Sequence, residues 1–212
     1  MMVRIVRPAG LVTLMLATAL VGCDQLQPQK TSEPAAPAPA AAPAAGTPAT
    51  PATPLILTAQ GWGPLGIGMT KTLVIEALGP DATPATVGGA EPGLCEQFRP
   101  QRAPAGTLVM IENGRLSRIS LVEGSTLKTE RGFGVGSTAA EIKAAYGGAV
   151  VSQPHKYEAA PAEDLFVWSN GGSTAYVQDP DARGIRYEIG TDGKVKAVHA
   201  GGPSIQLVEG CS

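Results

Sequence analysis

Apolar positions change their rhythm along this chain, and each change marks a boundary. From Leu11 to Val21 they form a nearly unbroken run behind Arg4 and Arg7. From Asp24 to Pro54 periodicity disappears and Pro, Ala, Thr and Gln take over, as in Pro-Ala-Ala-Pro-Ala-Pro-Ala from Pro34 to Ala40. Beyond Leu55 short stripes return. Val74, Ala77 and Leu78 sit at i, i+3 and i+4, and Ile142, Ala145 and Tyr146 repeat that spacing 68 residues later. Each set predicts a short helix with one apolar face.

Strand patterns follow each helix. Leu108-Val109-Met110-Ile111 leads to Asn113-Gly114 and then to Leu116 through Val122. Asn-Gly is the favoured two-residue type I′ turn, so a hairpin is predicted there. Ile185 to Ile189 alternates strictly, turns near Asp192-Gly193 and returns through Val195 to His199. Leu165-Phe166-Val167-Trp168 reads as one further strand.

The helix ends carry their own signals. Thr138 is an N-cap with Glu141 three residues on, which completes a capping box. Thr70 is the equivalent cap, but Leu73 replaces the acid, so that end is weaker. Gly79 and Gly147 occupy C′ positions, and Pro80 blocks continuation. Helix then strands, twice, predicts an α+β class: two tandem helix-plus-antiparallel-strand units, 55–130 and 131–212, forming one small domain. About 158 residues suit that size.

Gly66-Ile67-Gly68-Met69-Thr70, opening a helix that ends in Leu78-Gly79, resembles the repeat of small periplasmic proteins of the SmpA/OmlA type. Gly134-Val135-Gly136-Ser137-Thr138 is its second copy, and the tandem arrangement resembles the β-lactamase inhibitor protein fold. The likeness covers Gly63 to Val122 and, less closely, Gly132 to the C-terminus. It implies a fold more than a function. Those families include an assembly-machine accessory lipoprotein and enzyme inhibitors, and they share no catalytic residues. Two units set this chain apart from single-unit SmpA/OmlA members.

Leu20-Val21-Gly22-Cys23, at the end of the first apolar run, resembles the lipobox of bacterial lipoproteins. The resemblance implies a signal peptide over residues 1–22, cleavage before Cys23, and a diacylglycerol on its thiol. The alternative is an ordinary cleaved secretory signal with an incidental cysteine. A membrane span is disfavoured, because about a dozen apolar residues fall short of the roughly 20 needed. One acyl chain binds membranes marginally, whereas two or three hold a domain stably. Residues 23–54 then read as a lipidated cysteine and a Pro/Ala-rich disordered tether, whose roughly 28 extended residues reach on the order of 85 Å. Asp24 resembles the inner-membrane retention signal of enterobacterial lipoproteins. It favours the inner over the outer membrane, with the domain facing the periplasm.

Charge narrows the partners. Sixteen basic and eighteen acidic residues give a net −2, and loss of residues 1–22 removes Arg4 and Arg7 and no acid, leaving −4. No basic block survives, so nucleic acid is not an expected partner. Aromatic residues make up only 4% of the chain, so the core must rest on Val, Ile, Leu and Ala.

Cys95 and Cys211 remain once Cys23 is lipidated. In an oxidising compartment two such residues usually pair, here joining the C-terminus to the first unit. The alternatives are two buried free thiols and a redox-active thiol, and neither residue lies in a C-x-x-C motif.

Catalytic signals are sparse. His155 and His199 are the only histidines, with no zinc-type spacing and no G-x-S-x-G elbow. Gly61-Trp62-Gly63-Pro64-Leu65-Gly66 formally matches a dinucleotide loop, but Pro64 removes a needed amide. Asp179-Pro180-Asp181 reads as a turn rather than a calcium loop. No cofactor or metal is predicted. Pro154-His155-Lys156-Tyr157 brings a titratable ring, a cation and an aromatic ring together, either as a ligand loop or as a strand start. Trp62 and Trp168 are core residues or, if exposed, interface anchors. The leading expectation is a non-enzymatic, membrane-anchored module that binds an envelope protein. Its rival is a small-ligand or glycan-binding lipoprotein using His155, Lys156, Tyr157 and Trp168.

Overall fold

The computed structural model describes residues 55–84, 88–89 and 91–211. The expected signal peptide, Cys23 and the expected tether therefore lie outside the described residues.

Local signals act where the sequence places them. Helices α1 (Lys71–Leu78) and α2 (Ala139–Tyr146) have eight residues each. Thr138 Oγ1 accepts from the Glu141 amide at 3.2 Å while Glu141 Oε2 accepts from the Thr138 amide at 2.9 Å, closing the capping box. Thr70 only accepts from the Leu73 amide, at 3.4 Å. The Gly79 and Gly147 amides donate back to Ile75 and Lys143 and end the helices. At Asn113 and Gly114 φ is 49° and 75°, the left-handed pair that a type I′ turn requires.

The strands are β1 (Gly61–Trp62), β2 (Leu65–Gly66), β3 (Cys95–Phe98), β4 (Thr107–Glu112), β5 (Arg115–Leu121), β6 (Val150–Pro154), β7 (Glu163–Asn170), β8 (Arg183–Ile189) and β9 (Val195–Gly201). The first two form a small ribbon. The other seven form one antiparallel sheet in the order β3-β4-β5-β9-β8-β7-β6. At its centre β5 pairs with β9, with Ile119 opposite Ala200 and Ser120 opposite His199.

This corrects the expected α+β class of two tandem helix-plus-strand units. The described chain is mostly β, built on one continuous sheet with only two short helices. The physical reason lies in β5 and β9. Each would otherwise present an unpaired edge, and both are almost wholly buried, so the edges satisfy each other and the sheet runs unbroken. What repeats is local. Gly68 and Gly136 donate to the carbonyls of Leu116 and Val195, at 2.7 and 2.9 Å. Lys71 and Ala139 donate to Gly114 and Gly193, each at 3.0 Å. Each Gly-x-Gly-x-Thr stretch thus seats its helix on a hairpin turn.

One sheet face carries the apolar core. Leu116, Ile119, Leu165, Tyr187 and Val198 pack there with Val74 and Leu78 of α1 and Ile142 of α2. Trp62 belongs to this core, 3% exposed, with Nε1 donating to the Leu55 carbonyl at 3.1 Å. Among the described residues no helix is long and apolar enough to cross a membrane.

Candidate functional site

Strand alternation puts charged residues on the opposite face of the same strands. Arg186 and Glu188 alternate with Ile185, Tyr187 and Ile189 on β8, and Asp164 precedes Leu165 on β7. Polar positions on a sheet face ordinarily meet solvent. Here the chain covers them. The tail after β9 makes a 3-10 turn (Pro203–Gln206), buries Ile205, and receives hydrogen bonds from Arg118 Nη1 to the carbonyls of Ser204 and Leu207, at 3.1 and 2.8 Å. The expected Cys95–Cys211 disulfide is present and fastens this tail to β3 across a sequence separation of 116. Gln206 holds the preceding loop by bonds to both backbone groups of Val177.

Glu188 is the hub of the covered cluster. His155 Nε2 lies 3.5 Å away, His199 Nε2 3.4 Å, Arg186 Nη2 3.1 Å and Lys196 Nζ 3.8 Å. The hydrogen bond with His199, aided by its cationic neighbours, holds this carboxyl at about 2. Burial pushes His199 down to about 3. Arg118, buried beside Arg186, falls to about 10. Asp164 shifts the other way, since burial outweighs the pull of Arg186 and raises it.

Ser120 Oγ lies 2.9 Å from His199 Nδ1, so Ser120, His199 and Glu188 form a chain of the serine-histidine-carboxylate kind. With Nε2–H directed at Glu188, Nδ1 accepts from the Ser120 hydroxyl. Ser120 is buried, and this chain ties β5, β9 and β8 together. No motif announced it, because its members come from three strands.

The predicted loop is divided by the fold. His155 is buried, and its Nδ1 accepts from the amides of Tyr157 and Glu158 at 3.2 and 3.0 Å, which fixes the turn. Tyr157 is exposed, 6.5 Å from His155, with Lys156 Nζ 4.8 Å above its ring. Lys156 also approaches Glu209 at 3.7 Å. Trp168 lies near the far end of β7, half-buried and stacked on Phe166 at 6.2 Å. The histidine, tyrosine and Trp168 therefore share no single exposed surface, and buried Trp62 offers no contact.

Two recesses adjoin β6 instead. One, of about 450 Å³, is lined by Val151, Trp168 and the loop from Ser169 to Thr174. Gly172 lies so close to the indole that a Cβ would sit 2.1 Å from it, so glycine is required. The second, of about 240 Å³, is lined by Gln153, Pro154, Lys156, Asp164, Phe166, Tyr176, Gln206 and Val208. Both open on the face that carries Val151 and Gln153, one beyond the other along β6, the terminal strand of the sheet, and no described segment hydrogen-bonds along the outer side of that strand. At the other end of the sheet β3 is shielded, since Gly89 packs against the Cys95 carbonyl and residues 81–82 bond to 99–100. Among the described residues no cluster of metal-binding side chains occurs.

Searches against family models, curated proteins and solved structures find no match for this chain.

Proposed function

We propose that this chain is a membrane-anchored lipoprotein facing the periplasm, and that its domain is a non-enzymatic protein-binding module of the envelope-assembly or inhibitor kind. The observation that carries this reading is the open outer side of β6 beside two recesses. An edge strand offers a row of backbone donors and acceptors, and an extended partner segment adds to it as a further strand. Successive side chains on one face of that segment stand about 6.8 Å apart. Val151 and Gln153, two residues apart on β6, border the two recesses, so alternate partner residues meet different pockets. The Leu20-Val21-Gly22-Cys23 motif supports the anchor, and the Pro/Ala-rich stretch supports reach away from the bilayer.

Site-specific photocrosslinking in intact cells tests the binding role. A crosslinker at Gln153 is expected to capture one defined protein, and Val151→Lys, which charges the edge, to abolish capture. Equal capture from a distant position such as Glu123, or none from β6, counts against the proposal. For the anchor, Cys23→Ala is expected to move the protein from membrane to soluble fractions with the Cys95–Cys211 bond intact. Retention on the membrane would overturn that part.

A further inference from the structure

The smaller recess beside β6 contains a carboxyl group that the fold buries and does not satisfy. Asp164 is 5% exposed, and its carboxyl group forms no hydrogen bond among the described residues. Its one ionic contact is Arg186 Nε, at 3.5 Å and without hydrogen-bonding geometry. Buried polar groups in this condition are few in folded proteins, and each needs an explanation.

Charge defines what the recess lacks. Asp164, Glu188 and Glu158 face the cations Arg186 and Lys196. Arg118 and Glu112 add one charge of each sign. One carboxylate is in excess. Lys156 at the rim does not answer it, since its Nζ is directed to Glu209 and the ring of Tyr157. Arg186 does not invite an anionic ligand: its Nη1 has no hydrogen-bond partner, but the residue is wholly buried, gives Nη2 to Glu188 and does not line the recess. Phe166 and Tyr176 give the recess aromatic walls, which favour a cation over a neutral amide. Its volume of about 240 Å³ falls below the roughly 300–1,000 Å³ of pockets for drug-sized ligands and suits one side chain or a small amine.

We infer that the Asp164 recess is a binding site for a cationic group, a guanidinium or primary ammonium, delivered as a Lys or Arg side chain of a segment lying along β6. This rests on the edge-docking reading above. A free amine shares the chemistry, and the test separates the two sources.

Isothermal titration of the detergent-solubilised full chain with agmatine, and with an eight-residue Val/Thr peptide carrying one central Arg, supplies the two probes. Both are expected to bind saturably, the peptide more tightly. Asp164→Asn is expected to weaken both by about tenfold or more, through loss of a charge-assisted contact. Tyr176→Ala alters an exposed residue, leaves the fold intact, and is expected to weaken both by about two- to fivefold. No binding of either probe, or binding unchanged in both variants, overturns the inference. Peptide binding that survives Asp164→Asn but is lost in Val151→Lys overturns it and leaves the edge reading standing. Agmatine binding lost in Asp164→Asn, with the peptide no tighter, supports the recess and overturns the edge reading.

Discussion

Asp164 Oδ1 sits 3.5 Å from Arg186 Nε, diagonally across the β7–β8 ladder, and the guanidinium it faces is wholly buried. Arg186 is the positive centre of the covered face, and Asp164 and Glu188 both depend on it. Truncating one partner of a buried ionic cluster leaves charges uncompensated, at a cost of about 3–5 kcal/mol. Arg186→Met is therefore expected to destabilise the domain by that amount in urea denaturation. Asp164→Asn should cost less, since Glu188 still answers Arg186.

Acid should weaken the fold over a defined window. Burial lowers His199 from its ordinary 6.5 to about 3, so between those values the unfolded chain binds a proton that the folded chain does not. Stability then falls as pH drops from 6.5, by up to about 1.4 kcal/mol per pH unit for one proton. Glu188, held at about 2 against an ordinary 4.5, adds a loss in the same direction between those values. Asp164 is raised above 3.8 and opposes both just above that pH. His199→Gln should flatten the limb between pH 6.5 and 4.5, as followed by chemical denaturation at a series of pH values.

The Cys95–Cys211 bond closes a loop with a sequence separation of 116. A loop of that length restricts the unfolded chain by about 4–5 kcal/mol in the chain-entropy account. The Cys95→Ser/Cys211→Ser variant is expected to lose up to that much stability. It should also free the C-terminal tail from β3, seen as faster amide exchange over residues 203–211.

The two helix starts should differ in sensitivity. Thr138→Ala breaks a reciprocal box and is expected to cost about 1 kcal/mol. Thr70→Ala removes one long hydrogen bond and should cost less, because Leu73 offers no return bond. Thermal denaturation of the pair checks the order.

Much of the local structure is legible in the sequence because it depends on neighbours. The capping box at Thr138, the glycines that end both helices and the Asn113-Gly114 turn all act over a few residues. The alternation of Ile185 to Ile189 marks a strand, but it does not reveal that the polar positions Arg186 and Glu188 are covered. That cover comes from the tail after Gly201, which β9 delivers and Cys211 fastens. Strands β3 and β6, with weak patterns of their own, escape sequence reading and are defined by the partners they pair with.

The candidate site shows the same division. Sequence spacing groups His155, Lys156 and Tyr157 in one loop, and the fold turns His155 inward while Tyr157 stays outside. Asp164 carried no signal, since an isolated aspartate in a strand pattern reads as solvent-facing. The helices and their caps, the hairpin turns and the strand character of β4, β5, β7, β8 and β9 follow from interactions spanning a few residues, and the chain's order of side chains is enough to specify them. The joining of β5 to β9 in one sheet, the burial of a charged cluster and the open side of β6 arise at the level of the whole fold. Each of these depends on contacts between segments far apart in the chain, whose pairing no local pattern encodes.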